Sequence, residues 1–243
     1  MPKSKLLFLS KRFKILKKVY YFYNIYIRNY KFLRNGSQLQ EDKYLLSQFP
    51  KNYIGKYLDI GCYHPTRHNN TYSMYKLGWT GINIDLNPLS IELFNYARPK
   101  EINLNIGISN LETEKKLYFL DELNTQNTLD ENQLSFLKNH HNIQDHEIHE
   151  KTIKVKTINS ILEEYRFRDI DFMNLDVEGH ELEIIKSFDF LKYRIKYLCV
   201  EMINHNDTAI NRSREIEKIL IENNFQLINR IDYNFIFKNI KSG

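Results

Sequence analysis

The chain has 243 residues, of which 42% are hydrophobic and 27% are charged, a balance typical of a globular protein with one domain of ordinary size. Its two cysteines, Cys62 and Cys199, are far apart and lack the spacing of metal ligands. This argues against a disulfide framework or a zinc module and predicts a reducing, cytoplasmic location. No apolar run is long enough to cross a bilayer, and no secretory signal is recognisable.

The net charge of +5 is distributed unevenly along the chain. The first 36 residues contain no acidic residue, and their ten basic residues are Lys3, Lys5, Lys11, Arg12, Lys14, Lys17, Lys18, Arg28, Lys31 and Arg34. Residues 37–243 therefore carry a net charge of −5. We divide the chain into a basic, aromatic and helical extension at residues 1–36 and a single domain at residues 37–243.

The extension at residues 1–36 admits three interpretations. Basic residues with aromatic residues between them suit an anionic membrane surface, such as the inner membrane face. The same composition suits nucleic acid, although the acidic domain that follows disfavours a long basic track. The third interpretation is a helix that docks on the domain or on a partner and keeps its charges solvated.

A predicted helix at Glu41–Phe49 is followed, from Tyr57 onward, by alternating strand and helix patterns. The predicted strands are Tyr57–Ile60, Gly81–Leu86, Ile102–Ser109, Lys115–Leu120, Lys151–Ile158, Ile170–Asp176 and Tyr197–Met202. The predicted helices are Glu41–Phe49, Thr71–Leu77, Pro88–Ala97, Asn159–Tyr165, a segment that follows Gly179, and Arg212–Asn223. This alternation predicts an α/β fold with a mostly parallel sheet and helices on both faces.

The C-terminal segment Phe225–Asn239 reads as two strands around a polar turn, which predicts an antiparallel hairpin. Dinucleotide-binding domains usually end on a sixth parallel strand instead. A closing helix and antiparallel pair is typical of the Rossmann-like sheet of class I S-adenosylmethionine (SAM) methyltransferases. We therefore predict that sheet for residues 37–243.

Acidic residues follow the first two strands, where an open parallel sheet binds its ligand. Asp59 can face a cationic amino group, and Gly61 permits a tight turn with close backbone approach to a ligand; the alternative is that both only shape the turn. Asp85 is placed to accept hydrogen bonds from a ribose, and the alternative is an N-cap, for which Asn87 is better suited. A phosphate-binding G-x-G-x-x-G is absent, which disfavours a nicotinamide cofactor and favours SAM.

Four segments in order resemble the FkbM-type SAM-dependent methyltransferases. They are YLDIGCYHP…NNTYSMYKLGWTGINIDLNP, LNIGIS, IDFMNLDVEGHELEIIKSF and the lead-in SQLQEDKYLLSQF. The resemblance covers roughly Ser37 to Lys238 and implies methyl transfer to a hydroxyl, often of a sugar. The family usually has a small residue and then Asn-Asp-Gly after the motif glycine, where this chain has CYHPTRH, and the contacts to the methionine part of SAM stay open.

Carried over by position, the resemblance implies a set of cofactor-binding residues. Asp59 and Gly61 match the first SAM-binding turn, Asp85 matches the ribose acid, and Asn105 with Ile106 matches the third-strand end beside adenine. Asn70 matches an asparagine of the family that follows the first loop.

The fourth strand ends in three titratable residues, Asp176, Glu178 and His180, beside the expected position of the transferred methyl group. A carboxylate or neutral imidazole there can take the proton of an acceptor hydroxyl. Either Asp176 or His180 is the candidate base, and Glu201, with His205 nearby, is expected to orient the acceptor. Two alternatives stay open. Asp176 and Glu201 can hold a divalent cation, and Glu178 and His180 can merely cap the following helix.

The polar segment 121–150 contains four histidines, and these fit no standard ligand spacing, so no metal ligand is assigned. They are His140, His141, His146 and His149. The sequence as a whole predicts a cytoplasmic O-methyltransferase that uses SAM and acts on a sugar of a surface polysaccharide or of its nucleotide-linked precursor. The rival functions are a nucleic-acid methyltransferase and a non-catalytic binding protein.

Overall fold

The computed structural model describes residues 14–28, 36–119, 129, 148–202 and 206–241. Its strands are β1 (Lys56–Ile60), β2 (Thr80–Asp85), β3 (Ile102–Asn105), β4 (Gly107–Ile108), β5 (Thr113–Phe119), β6 (His149–Lys156), β7 (Asp169–Leu175), β8 (Arg194–Glu201), β9 (Phe225–Ile231) and β10 (Asn234–Asn239). Its helices are α1 (Lys14–Phe22), α2 (Glu41–Ser47), α3 (Tyr72–Lys76), α4 (Pro88–Ala97), α5 (Ile158–Glu164), α6 (Glu181–Ser187) and α7 (Asp207–Glu222), and a π-helix (Tyr23–Ile27) continues α1.

Seven strands form one sheet in the order β3-β2-β1-β7-β8-β10-β9. All pairs among β3, β2, β1, β7 and β8 are parallel, whereas β10 is antiparallel to both β8 and β9. The predicted fold class is therefore confirmed, including the antiparallel C-terminal hairpin. The strand order reverses at β1, between β2 and β7, and open α/β sheets bind their ligands at such a point.

Successive residues of the central strands point to opposite faces of the sheet, and helices cover both faces. Leu58 and Met173 belong to a core that includes residues of α5, α6 and α7. Tyr57 and Phe172, their neighbours in sequence, belong to a second core with Leu45 of α2 and Met74 of α3. Because both faces are covered, every residue of β1 and β7 except the first is buried.

The predicted third strand, Ile102–Ser109, is wrong as a single strand. Its first half, β3, pairs with β2 in the main sheet, and its second half, β4, pairs with β6 in a separate sheet of order β4-β6-β5. Gly107 allows this departure because a Cβ there would lie 2.7 Å from a methyl group of Val155. The two predicted strands around residues 115–120 and 151–158 thus belong to the smaller sheet.

The described part of the N-terminal extension is helical, as predicted, and packs against α4. Tyr21 and Ile25 are buried beside Leu93, and Lys17 forms an ion pair with Glu92 at 2.7 Å. Among the helices of the described ranges, none combines the length and the apolar composition that a membrane crossing requires. Most of the histidine-rich segment lies outside the described residues, as does His205.

Candidate functional site

A cavity of about 280 Å³ lies at the carboxyl ends of β1, β2, β7 and β8. Six acidic residues line it: Glu41, Asp59, Asp85, Asp176, Glu178 and Glu201. Within the described part of the chain, its lining includes no lysine and no arginine. Such a lining attracts cations and repels phosphate groups.

The cavity brings together eight of the nine residues proposed for the site from the sequence. They are Asp59, Gly61, Asn70, Asp85, Ile106, Asp176, His180 and Glu201. The exception is Asn105, which lies outside the lining with an exposed side chain, and its amide donates to the backbone oxygen of Asp85 at 2.9 Å. Asn105 therefore braces the end of β2, while Ile106 offers an apolar side chain to the cavity.

Gly61 has a different neighbour from the one expected. Its φ is +78°, and a Cβ at this position would lie 1.6 Å from the backbone oxygen of Asp176. The backbone N–H of Asp176 donates to Ile60 O at 3.0 Å, and that of Gly61 donates to Ile84 O at 2.9 Å. The glycine thus lets the ends of β1, β2 and β7 approach each other, which sets the position of Asp176.

Asp59 is fully buried, and protein groups bind both of its carboxylate oxygens. Thr71 and Asn69 donate to Oδ2 at 2.8 and 3.0 Å, and Asn174 donates to Oδ1 at 3.0 Å. Burial raises the pKa of Asp59, and these hydrogen bonds oppose the rise. Asn70 donates to the amide oxygen of Asn174 at 2.9 Å, so the first loop is tied to β7 beside the cavity.

Asp85 holds the loop after β1 and the start of α4. Its Oδ2 accepts from the backbone N–H of Tyr63 at 2.8 Å, and its Oδ1 accepts from that of Asn87 at 2.7 Å. Burial raises its pKa to about 6, while the hydrogen bonds from Asn87, Tyr63 and the Ser90 side chain lower it. The N-cap of α4 is Asn87, which accepts from Leu89 N at 2.9 Å, so Asp85 does not serve as that cap.

Asp176 and Glu201, at the ends of the adjacent strands β7 and β8, form a hydrogen-bonded pair of carboxyl groups. Burial, followed by the nearby charge of Glu178, raises the pKa of Asp176, the hydrogen bond from Glu201 opposes the rise, and the resulting pKa is about 7. Burial, followed by the charge of Asp176, raises the pKa of Glu201 well above its usual range. Of the pair, Glu201 therefore favours its protonated form, and its carboxyl group donates the hydrogen bond to the Asp176 carboxylate.

The loop between β7 and α6 keeps Glu178 in the cavity lining. Glu178 adopts a left-handed φ of 55° and lies two residues before His180, the N-cap of α6, whose side chain makes no capping hydrogen bond. His180 therefore does not cap α6 through its side chain. The loop is bound instead by Glu181, whose Oε1 accepts from the backbone N–H groups of Val177 and Gly179 at 3.0 and 3.2 Å.

His180 is buried and contacts the smaller sheet. Its Nε2 lies 3.0 Å from the Ser109 hydroxyl and 3.2 Å from Lys115 Nζ, and its Nδ1 lies 3.7 Å from a Glu183 carboxylate oxygen. An ammonium group only donates, so Nε2 accepts from Lys115 and the ring proton lies on Nδ1. The imidazole lone pair is thus directed at Lys115 and Ser109 in this structure, which makes Asp176 the better-placed base.

No group of three or more His, Cys, Asp or Glu side chains in the described ranges is arranged to hold a metal ion. The structure thus lends no support there to the divalent cation considered for Asp176 and Glu201.

Some residues that shape the site were missed in the sequence. Glu41, at the start of α2, lines the cavity and accepts from Asn234 at 2.9 Å and from Leu39 N at 2.9 Å. Asn174 connects Asp59 to Asn70, and Glu181 binds the loop below the cavity. Asn174 was recognisable by its place near the end of β7, but Glu41 carries no sequence signal beyond that of an acid in a first helical turn.

We also compared the chain with known protein families and with curated proteins. A family model described as the methyltransferase FkbM domain matches residues 59–227. None of the curated proteins compared with the chain matches it. The family match covers more than half of the chain and includes every acid of the cavity except Glu41. The chain therefore belongs to the FkbM methyltransferase family.

Proposed function

We propose that this methyltransferase uses SAM to methylate a hydroxyl group of a sugar, in a surface polysaccharide or its precursor. The observation that carries the proposal is the Asp176–Glu201 pair in the cavity, because a half-buried carboxylate with a pKa of about 7 is suited to remove a hydroxyl proton at neutral pH.

The cavity suits the charge and composition of SAM. SAM carries a sulfonium, an ammonium and one carboxylate and is thus a net cation, and six acidic residues line the cavity. Apolar side chains that could pack against an adenine belong to the same lining: Ile84, Leu86, Ile106, Ile108 and Val177. Asp85 retains acceptor capacity for a ribose hydroxyl beside its bonds to Tyr63 and Asn87. Both kinds of surface therefore support SAM as the methyl donor.

Asp176 acts as the general base in this proposal. When bound, SAM would supply an electrophilic methyl group, whose bond to sulfur breaks as its bond to the acceptor oxygen forms, with S-adenosylhomocysteine as the leaving group. The Asp176 carboxylate takes the hydroxyl proton as that oxygen becomes bonded to carbon. Before the reaction, the Glu201 carboxyl group donates a hydrogen bond to the Asp176 carboxylate. This hydrogen bond holds the Asp176 carboxylate in one orientation.

The lining also favours an uncharged acceptor. The side-chain amides of Gln38, Asn70 and Asn234 line the cavity together with Glu41 and Glu201, and amides and carboxyl groups suit the many hydroxyls of a sugar. The phosphates of a nucleotide sugar or of a nucleic acid would face the acidic residues. We therefore favour a neutral sugar over a nucleotide-linked one and disfavour the nucleic-acid alternative.

The cofactor and the base are tested with two substitutions that conserve side-chain size. In Asp85→Asn the loss of a carboxylate acceptor should weaken SAM binding more than about tenfold, measured by calorimetry. Asp176→Asn should retain SAM affinity but lose methyl transfer to a panel of neutral glycans by about 10² to 10⁴-fold, measured with labelled SAM. Asp207→Asn, at an exposed position of α7, is the matched control and should change neither.

Two results would contradict the proposal at separate points. If the wild-type protein shows no binding heat with SAM or with S-adenosylhomocysteine, the methyl donor is misassigned. If SAM binds but Asp176→Asn transfers methyl groups at the wild-type rate, the base lies elsewhere.

A further inference from the structure

The helix formed by α1 and the π-helix has two different sides. The side toward the domain buries Tyr21, Asn24 and Ile25, and Lys17 and Tyr21 on this side both bind Glu92 of α4. The opposite side, which we call the outer face, exposes Ile15, Val19, Phe22, Tyr23, Tyr26 and Ile27. Between 45% and 78% of each of these six side chains is accessible to solvent.

The outer face is continuous. Ile15, Val19, Phe22 and Tyr26 follow one another at the three- and four-residue spacing of a single helical stripe, and Tyr23 and Ile27 lie directly beside it. Scattered exposed apolar residues are ordinary on a protein surface, but a contiguous apolar stripe marks an interaction site. The helix is anchored on one side, so this stripe cannot turn inward without losing the contacts to α4.

Charge decides which partner fits. The helix carries Lys14, Lys17, Lys18 and Arg28 and no acidic residue, and Lys18 is exposed three and four residues from Ile15 and Phe22. All of residues 1–36 share this acid-free composition, with ten basic residues. Apolar and aromatic residues flanked by lysine are the signature of a helix that lies in the headgroup layer of an anionic bilayer. A second copy of the same basic helix would be repelled by like charge.

We propose that the outer face of this helix binds the surface of an anionic membrane while the helix stays docked on the domain. The inference is independent of the proposed reaction, because it rests on a surface outside the cavity. It also positions the cavity. Thr66, in the loop whose neighbouring residues line the cavity, donates to the backbone oxygen of Ile25 at 3.4 Å. A membrane-bound helix therefore holds the cavity near the bilayer.

The test is cosedimentation of the full chain with vesicles. Wild-type protein should bind vesicles that mix phosphatidylglycerol with phosphatidylcholine and should bind pure phosphatidylcholine vesicles weakly. The triple variant Ile15→Gln/Val19→Gln/Phe22→Gln should lose more than about tenfold in vesicle partition, because it removes apolar side chains that enter the bilayer. Glutamine is a good helix former, so the helix should be retained.

The matched control makes the same change at three exposed apolar positions outside this helix. Leu111→Gln/Leu191→Gln/Ile240→Gln alters side chains that are 64%, 96% and 61% exposed and should keep wild-type partition. Thermal unfolding of both triple variants should match the wild type, since the substituted side chains are exposed.

A second measurement uses fluorescence. The chain has one tryptophan, Trp79, which is buried and gives a constant background. The emission of Phe22→Trp should move to shorter wavelength when phosphatidylglycerol vesicles are added, as the indole leaves water.

Several results would overturn the proposal. One is vesicle binding that survives the outer-face substitutions, and another is equal binding to both kinds of vesicle. If the wild type is a dimer in solution, and the outer-face triple variant is a monomer while the control triple variant stays a dimer, the outer face binds a second copy of the chain. Tight RNA binding without vesicle binding would assign the helix to nucleic acid.

Discussion

Neighbouring groups shift the pKa of Asp176 in opposite directions. Burial and the charge of Glu178 raise its pKa, the hydrogen bond from Glu201 lowers it, and together they bring the pKa to about 7. A base in this state gains its activity as pH rises through neutrality, because only the deprotonated carboxylate accepts a proton. The proposed role of Asp176 thus predicts how methyl transfer depends on pH.

The prediction is tested with Glu178→Gln. Removing the Glu178 charge lowers the pKa of Asp176, so the rise in kcat/KM that we expect near pH 7 should move to lower pH. The matched substitution is Glu183→Gln, which removes the carboxylate 3.7 Å from His180 Nδ1 instead. If Glu183→Gln shifts the profile and Glu178→Gln does not, His180 is the base and Asp176 is not.

Much of the site was accessible from sequence because parallel strands place their ends at one edge. Asp59, Asp85, Asp176 and Glu201 each follow or end an apolar run, and topology alone brings them to one cavity. Their charge states were not accessible, since these depend on burial and on contacts such as that between Glu201 and Asp176. Glu41 was missed because it enters the cavity from a helix that precedes β1.

At the scale of elements, the meeting of β1 with β7 depends on the absence of a side chain at Gly61. Two effects combine there: the positive φ and the backbone oxygen of Asp176, 1.6 Å from where a Cβ would lie. The sequence indicated a tight turn at this glycine but assigned the close approach to a ligand. Only the pairing of distant strands shows that the close neighbour is the chain itself.

Gly61→Ala should therefore destabilise the fold and displace Asp176. The left-handed φ alone costs about 1–3 kcal/mol for a residue with a Cβ, and the backbone clash adds to this. Gly78→Ala isolates the first effect, because Gly78 has a φ of +92° and its Cβ would lie 3.9 Å from the nearest atom, a methyl group of Ile54. We expect a larger drop in Tm for Gly61→Ala than for Gly78→Ala, and lost SAM binding only in the former. Equal drops would refute the clash.

The element boundaries that were predicted well have local causes. Asn87 followed by Pro88 marks the start of α4, where the asparagine side chain caps the helix. The departure of β4 from the main sheet was not predictable in this way. It depends on the pairing of Gly107 with Val155, some fifty residues later in the chain, and no local pattern encodes a contact of that range.

At the scale of the whole molecule, the buried acids make the free energy of unfolding depend on pH. Burial raises the pKa of Asp85 to about 6 and those of Asp176 and Glu181 to about 7. An acid with a raised pKa binds more protons in the folded than in the unfolded state between the two pKa values. Its contribution to the free energy of unfolding therefore falls as pH rises through that interval. These three groups should place the stability maximum on the acidic side of neutrality.

Glu181→Gln tests this origin of the pH dependence. Glutamine keeps the Oε1 acceptor for Val177 and Gly179 but carries no charge, so the variant avoids the cost of a buried carboxylate. That cost is absent below about pH 4.5, grows toward pH 7, and amounts to at most about 3 kcal/mol above it. Tm should therefore match the wild type near pH 4.5 and exceed it near pH 8. Glu114→Gln, on the exposed surface of β5, should show no such divergence. If the Tm of Glu181→Gln runs parallel to that of the wild type across this pH range, the pKa of Glu181 does not differ between the folded and unfolded states, contrary to what its burial requires.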